Sequence, residues 1–321
     1  MCQLFALNSN APSAMTFSFT GFSARGGVTG DHADGWGLAF HGEGGCRVFL
    51  DDGPASRSPL AAFLRDHPIR ATSVIAHIRK ATQGAVQLSN CHPFQREWRG
   101  RHWVFCHNGD LKDFKPALDA GYRPVGSTDS EAAFCWLLQR LDDRFTGRAE
   151  PDWPDLAPVL AELADELSVF GSFNFLLGDG QALYAHCSTR LHWLLRQHPF
   201  AHARLVDADS SLDLASVNGD SDCMALLATE PLTLDEPWQL MGAGELRVFV
   251  DGDCVWQRAP RTLPSALQAP APHGDAFERV ECQRLHEQAD QHDADEASED
   301  FVGVELVAVL EDVPAQAALA G

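Results

Sequence analysis

Along residues 1 to about 258, short apolar stretches of strand length alternate with turns rich in Gly, Asp and Pro. In the first half, the stretches that predict strands are CQLFAL, GWGLAF, CRVFL, SVIAHI and HWVFCHN. In the second half they are FNFLLGDG, LYAHC, LHWLLR, CMALLAT and ELRVFVDGDCVW. Several of them are apolar at consecutive positions, which favours strands that are covered on both faces.

Helical periodicity occurs at three places in the same region. SPLAAFLRDH begins with Ser58 as a predicted cap, and DLAPVLAELADEL is a second amphipathic stretch. The third, TDSEAAFCWLLQRL, begins with a predicted capping box of Thr128 and Glu131. Many strands with a few amphipathic helices predict sheets that pack together and are covered by helices.

The pattern changes at Ala259, which predicts a domain over 2–258 and a tail over 259–321. The tail begins with a linker rich in Pro and Ala and continues into the acidic run HEQADQHDADEASED. Residues 261–321 hold 13 acidic and 3 basic residues. Such a segment buries too little apolar area to offset its ordering entropy, so we expect it to be disordered, with FVGVELVAVL as an apolar exception.

Composition excludes several classes of function. The formal net charge of -21 argues against sequence-independent nucleic-acid binding and against adhesion to anionic membranes. No apolar run approaches the roughly 18 residues of a membrane span. The first basic residue is Arg25, so no signal peptide is expected and the predicted location is the cytoplasm.

The cysteines and the known metal motifs point away from disulfides and zinc. The 9 cysteines are scattered and odd in number, which is typical of reduced cytosolic thiols. No CxxC pair occurs, and Asp290 occupies the place of the second His in a zinc-protease helix beginning at His286. No nucleotide-binding glycine loop is present, so neither a metal nor an organic cofactor is predicted.

Cys2 is the most informative position, because it directly follows the initiator Met. If Met1 is removed, the residue carries a thiol and a free α-amine whose pKa is about 8. Such an amine can act as the general base for its own thiol, directly or through water. The alternative is an ordinary buried cysteine in a strand.

Three further patterns would complete a site for an amino-acid amide. Asn108 and Gly109, in FCHNGDL, are candidate oxyanion donors, although Asn-Gly is also a common hairpin turn. Arg79, at the end of an apolar strand, is a candidate partner for a carboxylate. Asp129, at the start of a helix, is a candidate partner for an α-amine, although helix dipoles alone favour acidic residues there.

Cys2, HIRKAT, HNG and TDSE occur in an order that resembles the class II glutamine amidotransferases of the N-terminal-nucleophile (Ntn) hydrolase superfamily. FSFTGF, HADGWGLAFH, NCHPF, RPVGSTDSEAAFCWLL and CSTRLHW are similar to its stand-alone, YafJ-like branch. The resemblance covers residues 2 to about 257. It implies an α+β fold: a four-layer α/β/β/α sandwich of two antiparallel sheets.

The resemblance also implies roles for individual residues. Cys2 would be the nucleophile, Asn108 and Gly109 the oxyanion hole, Arg79 and Thr82 the partners of the glutamine α-carboxylate, and Asp129 the partner of its α-amine. A substrate-covering glutamine loop would run from about Arg79 to Val86. Members with synthase domains often have RWATHG there, and this chain has RKATQG.

Residues around HADGWGLAF are expected to line the pocket, and Gly35 and Trp36 are the candidates for substrate binding. The alternative is a purely structural role, in which the segment is a turn that enters a core strand with a buried Trp. His77 is expected to be a satisfied strand histidine and His92 a structural or pocket-wall residue.

These patterns predict a glutamine-hydrolysing enzyme that forms a γ-glutamyl thioester on Cys2 and releases glutamate and ammonia. The ammonia acceptor would be a separate synthase protein, or would be absent. One alternative is a γ-glutamyl amide hydrolase that acts on a glutamine-like conjugate. A second is a non-catalytic glutamine-binding module, in which Met1 would be retained.

Overall fold

The computed structural model describes residues 2–42, 44–148 and 150–261. The four α-helices are α1 (Thr16–Ala24), α2 (Pro59–Asp66), α3 (Asp129–Arg144) and α4 (Trp153–Ser168). The strands are β1 (Gln3–Ala14), β2 (Trp36–Gly42), β3 (Gly45–Asp51), β4 (Arg70–Ile78), β5 (Phe94–Trp98), β6 (Arg101–Leu111), β7 (Gly171–Gly178), β8 (Ala182–Cys187), β9 (His192–Gln197), β10 (His202–Arg204), β11 (Ser211–Asp213), β12 (Cys223–Ala228), β13 (Gln239–Leu240), β14 (Glu245–Val250) and β15 (Asp253–Arg258). Short 3₁₀ turns cover Ala55–Arg57, Leu88–Asn90 and Leu214–Ser216.

Two antiparallel sheets form the centre of the described structure. The first has seven strands in the order β13-β9-β12-β1-β4-β2-β3, and the second has six in the order β15-β14-β8-β7-β6-β5. β1 lies in the middle of the first sheet and pairs with β4 and β12, so Gln3 is opposite Ile78 and Phe5 is opposite Ala228. This register brings the residues before β1 next to the residues after β4.

Three apolar clusters separate four layers. Side chains alternate between the two faces of a strand, so β1 directs Phe5 and Leu7 towards α1 and α2, and Leu4 and Ala6 towards the second sheet. A third cluster packs α3 and α4 on the outer face of the second sheet. The predicted α/β/β/α sandwich of two antiparallel sheets is therefore confirmed.

The three predicted helices are confirmed, and a fourth, α1, was not foreseen. The run TFSFTGFSA that forms α1 carries no helix-like stripe of polar positions, because most of it is buried against β1 and α2. Ser58 caps α2 as predicted, with its hydroxyl accepting from the Ala61 amide at 3.3 Å. Several short strands, among them β5, β10 and β13, were also missed, since their stretches are too short to show a period.

Only one of the two hydrogen bonds of the predicted capping box of α3 is present. Thr128 Oγ1 accepts from the Glu131 amide at 3.2 Å, as predicted. The Glu131 carboxylate, however, accepts from the amides of Val125 and Gly126 and pairs with Arg96 instead of reaching back to the cap. Its side chain is 2 % exposed, and the partly buried arginine supplies a partner that the local sequence could not indicate.

The start of α3 is thus fixed close to the end of β6. Phe134 of α3 stacks on Phe105 of β6 with ring centroids 5.0 Å apart and planes 9° from parallel. Aromatic pairs contribute about 0.5–1.5 kcal/mol beyond the burial of their area. This contact positions the two elements that carry Asp129 and Asn108.

Candidate active site

Cys2 lies immediately before β1, beside the chain that leaves β4. Its Sγ accepts a hydrogen bond from the Lys80 amide at 3.3 Å and lies 3.4 Å from the Lys80 carbonyl oxygen. Burial raises the pKa of the Cys2 thiol; the Lys80 amide and the positive charge of Arg79 lower it, and the charge of Asp129 raises it further. The thiol is therefore close to both predicted anchors and needs a base to become a thiolate.

Asn108 faces Cys2 from the second sheet. Its Nδ2 donates to the Cys2 carbonyl oxygen at 2.6 Å and to Thr229 Oγ1 at 3.4 Å. The side chain is 1 % exposed, and no described residue donates to its Oδ1. The amide is thus held beside the main chain of the candidate nucleophile.

The alternative interpretation of Asn108-Gly109, a hairpin turn, is wrong. β6 continues to Leu111 and pairs with β7, with Asn108 opposite Asn174 and Gly109 opposite Phe173. Glycine is needed at 109 for a steric reason, because an added Cβ would lie 1.8 Å from the Ser172 carbonyl oxygen. The dipeptide is a site of close strand approach that resembles a turn in sequence.

Asn174 supports this strand end and was not predicted. Its Nδ2 donates to the Asn108 carbonyl at 2.8 Å, and its Oδ1 accepts from the amides of Ser188 and Thr189 at 3.0 Å. The residue is fully buried. A single Asn inside the apolar run FNFLL was the available signal, since a buried carboxamide must satisfy several hydrogen bonds.

Arg79 is buried at the base of the glutamine loop. Its guanidinium donates to the carbonyl oxygens of Gln83 at 2.8 Å, of Ala85 and Gly84 at 3.2 Å, and of Asp34 at 3.4 Å. Among the described residues, no carboxylate forms an ion pair with it. It is 3 % exposed, so this is a buried cation whose charge has no protein counter-ion there.

The HADGW segment contacts this loop mainly through its backbone and Asp34. Asp34 Oδ2 accepts from the Ala81 amide at 2.8 Å, and the Gly35 carbonyl accepts from the Arg79 amide at 2.8 Å. Gly35 has φ +112°, and an added Cβ would lie 2.5 Å from Cys91 Sγ, so only glycine fits. Gly35 is therefore close to the anchor, as expected.

Trp36 and Thr82 are placed differently from the other candidates. The indole of Trp36 is 1 % exposed and packs in the cluster between the first sheet and α1, with its ring 5.7 Å from that of Phe19. Trp36 is therefore a core residue, as in the alternative interpretation of a turn that enters a core strand with a buried Trp. Thr82 is exposed on the loop, and its hydroxyl bonds to no described residue.

Asp129 is the first residue of α3. Its Oδ2 accepts from the Leu111 amide at 2.8 Å, just beyond the candidate oxyanion donors. Its Oδ1 has no partner in the part of the chain that the structure describes. One carboxylate oxygen thus fixes the side chain to β6, and the other is available to a ligand.

Three buried histidines surround the site. Burial lowers the pKa of His77 to about 3, and it lowers the pKa values of His92 and His107 as well. The rings of His77 and His92 lie 4.1 Å apart. Neither ring nitrogen of His77 has a well-formed hydrogen bond among the described residues, although the His107 main chain lies near enough to raise the pKa of His77, so a fully satisfied strand histidine stays a prediction. The lowered pKa values are those of neutral imidazoles, so three uncharged histidine rings lie around the site.

The C-terminal half of the glutamine loop is held by hydrogen bonds to residues outside the loop. Asn90 Nδ2 donates to the Ala85 carbonyl at 2.9 Å, and Gln83 donates to the Asp110 carboxylate. Lys80, which replaces the Trp of RWATHG, forms a surface ion pair with Asp31. The two departures from the family pattern therefore both make polar contacts around Cys2.

The described residues offer no group of three or more His, Cys, Asp or Glu side chains that could hold a metal ion. Within 2–42, 44–148 and 150–261, no helix is long and apolar enough to cross a membrane.

The fold thus brings together Cys2, Arg79, Asn108, Gly109 and Asp129, whereas the side chain of Trp36 lies in the core and that of Thr82 is exposed on the loop. Residues distant in sequence converge because the starts of β1 and α3 meet the ends of β4 and β6.

Residues 1–273 match the family described as glutamine amidotransferases class-II. YafJ of Escherichia coli K12, a candidate glutamine amidotransferase, is 46 % identical over 255 residues, which is 79 % of this chain and 100 % of YafJ. A candidate glutamine amidotransferase of Haemophilus influenzae is 42 % identical over 255 residues, covering 79 % of this chain and 86 % of that protein.

A solved structure gives the same result. The crystal structure of a predicted glutamine amidotransferase from Pseudomonas aeruginosa PA01 has a TM-score of 0.64 and 40 % identity, covering 79 % of this chain and 100 % of that one. The family match extends over most of the chain, and the residues that carry the sequence resemblance meet at one end of the sandwich. The chain is a member of the class II glutamine amidotransferases.

Proposed function

We propose that the protein hydrolyses the side-chain amide of glutamine, with Cys2 as the nucleophile. One observation carries the proposal: the charges of two groups act on the Cys2 thiol, the buried Arg79 guanidinium, which has no described counter-ion, and the Asp129 carboxylate, which has one oxygen without a described partner. A free amino acid presents the complementary pair of charges. Arg79 would bind the α-carboxylate, with Thr82 as a second contact from the loop, and Asp129 would bind the α-amine.

The reaction would proceed through a thioester. After removal of Met1, the α-amine of Cys2 takes the thiol proton while Sγ attacks the side-chain carbonyl carbon of glutamine. The same proton is then given to the amide nitrogen, the C–N bond breaks and ammonia leaves. Water adds to the γ-glutamyl thioester, the C–S bond breaks, and glutamate departs with the thiol restored.

Asn108 and Gly109 would stabilise the negative charge that develops on the carbonyl oxygen. Asn108 Nδ2 donates to the main chain of Cys2, so its amide lies next to the residue on which the substrate would be bound. Loss of one such donor lowers the rate on the order of 10²–10³-fold. The neutral histidines around the site would keep the ammonia unprotonated as it forms.

The proposal has two versions, an amidotransferase and a glutaminase, which differ in where the ammonia goes. A separate synthase protein would accept it in an amidotransferase, and water would receive it in a glutaminase. A third version is a γ-glutamyl amide hydrolase, in which the leaving amine is larger than ammonia. The main chain of Lys80 contacts the Cys2 thiol, and its side chain is 42 % exposed in an ion pair with Asp31, so the segment that carries the contact reaches the surface. Turnover of glutamine against γ-glutamyl amides of larger amines separates the versions.

A paired measurement tests the proposal as a whole. Mass spectrometry of the purified protein should show loss of Met1, and an assay of ammonia and glutamate with glutamine should give equal amounts of both. A retained Met1 together with glutamine binding but no release would instead indicate a glutamine-binding module. Turnover that survives Cys2→Ala would remove the thiol from the mechanism.

A further inference from the structure

The end of β6 is joined to α3 through a buried histidine. His107 Nε2 lies 3.1 Å from the Ser172 carbonyl oxygen, and His107 Nδ1 lies 2.8 Å from Ser130 Oγ. A carbonyl oxygen only accepts, so Nε2 carries the proton and Nδ1 accepts from the Ser130 hydroxyl. His107 is 1 % exposed and Ser130 is 6 % exposed. Burial lowers the pKa of His107, in keeping with a neutral ring.

This bridge spans two functional positions. His107 precedes Asn108, the candidate oxyanion donor, and Ser130 follows Asp129, the candidate anchor of the α-amine. A second bond runs in parallel, from the Leu111 amide to Asp129 Oδ2 at 2.8 Å. Each side is also held within its own element, because β6 pairs with β7 from Val104 to Leu111 and α3 is capped by Thr128.

We infer that His107 and Ser130 are positioning residues that fix the distance between the oxyanion donors and the head-group anchor, and so select an amide at the γ-carbon over one at the β-carbon. This inference rests on the proposed function. Asparagine is one methylene shorter than glutamine. When its head group is bound, its carbonyl would therefore be displaced by more than about 1 Å from the position that the glutamine carbonyl takes beside the donors. A misplacement of that size costs on the order of 10²-fold in rate.

Ser130→Ala removes the bridge and retains the parallel bond to Asp129. We expect kcat/KM for glutamine to fall by about fivefold or more, and the preference for glutamine over asparagine to fall by about threefold or more. Ser130→Thr keeps the hydroxyl and should restore both values to within about twofold. Ser168→Ala is a matched control, because Ser168 is also buried in a helix and bonds only to the Ala164 carbonyl.

A change of amide preference separates positioning from general destabilisation, which lowers activity towards both amides equally. The inference is overturned if Ser130→Ala, folded as judged by its melting temperature, keeps the wild-type kcat/KM and the wild-type preference. It is also overturned if Ser130→Ala and Ser168→Ala change both quantities equally.

If the wild type hydrolyses neither amide, the proposed function fails, and a second measurement decides the inference. The rate at which iodoacetamide alkylates Cys2, followed by peptide mass spectrometry, responds to the charge of Asp129 near the thiol. A bridge that positions Asp129 predicts a change of about twofold or more in Ser130→Ala and none in Ser168→Ala. Equal rates in the three proteins would overturn it.

Discussion

The side-chain amide of Gln83 donates a hydrogen bond to the carboxylate of Asp110, the residue that follows Gly109 in β6. This contact joins the tip of the glutamine loop to the strand that carries the candidate oxyanion hole. Together with the loop carbonyls bound by Arg79, it fixes the conformation of the loop. Under the proposed function, an incoming carboxylate would compete with those carbonyls for the guanidinium, and substrate binding would then be coupled to movement of the loop.

Gln83→Ala should therefore loosen the loop. We expect faster hydrogen exchange in peptides that cover residues 79–90 and a fall in kcat/KM for glutamine of about two- to tenfold. Gln87→Ala is the matched control, because Gln87 directly follows the loop and its side chain bonds only to the nearby Ser89. Equal exchange rates in the two variants would show that the Gln83 contact does not hold the loop.

Cys2→Ser should lose nearly all release of ammonia and still bind glutamine, because a hydroxyl is a poor nucleophile beside a weak amine base. The reactive glutamine analogue 6-diazo-5-oxo-norleucine should alkylate Cys2 in the wild type. Peptide mass spectrometry identifies the modified residue. Modification at Cys91 or Cys106, which are both buried, would contradict the assignment of the nucleophile.

The anchor and the oxyanion donor should differ in their kinetic signatures. Arg79→Lys keeps the charge but loses the fork, so it should raise KM for glutamine by about tenfold or more. Asn108→Ala should lower kcat by about 10²–10³-fold with a smaller effect on KM, because its amide faces charge that exists only during attack. Steady-state kinetics on both variants decides this, and an unchanged KM in Arg79→Lys would remove Arg79 from the pocket.

Much of the sandwich was predictable because strand length and helical period are local properties. The site depended on the resemblance, since no local pattern shows that the start of β1 meets the ends of β4 and β6. Trp36 illustrates the limit: the sequence cannot tell which face of β2 its indole occupies, and the structure directs it to the core. Asn174 was missed because its role lies entirely in hydrogen bonds to residues that are distant in sequence or in a later turn.

The predicted boundary at residue 258 can be made more specific. Arg258, the last residue of β15, donates to the Asp165 carboxylate and to the Ala161 carbonyl of α4, and the Arg261 amide donates to Ala243. The predicted tail lies mostly outside the described residues. Truncation after Arg261, which retains these contacts, should leave kcat within about twofold and the melting temperature within a few degrees. A large fall in melting temperature would show that the segment beyond belongs to the folded core.

The stability of the protein should fall as the pH drops below about 6.5, in part through His186. Burial lowers the pKa of His186 to about 4, and its Nδ1 donates to the Phe173 carbonyl at 2.7 Å. Between the ordinary histidine pKa of about 6.5 and that value, the unfolded chain binds a proton that the folded chain does not. The free energy of unfolding therefore decreases with falling pH, by at most about 1.4 kcal/mol per pH unit for this one group.

His186→Asn keeps a nitrogen donor near the position of Nδ1 and removes the titration. Its free energy of unfolding, measured in urea at pH 7.5, 6 and 5, should fall less steeply than that of the wild type. The other buried histidines still titrate on unfolding, so some slope should remain. His202→Asn, at an exposed position on β10, serves as the control and should keep the wild-type slope. Identical slopes in the wild type and His186→Asn would mean that His186 is not held neutral in the folded state.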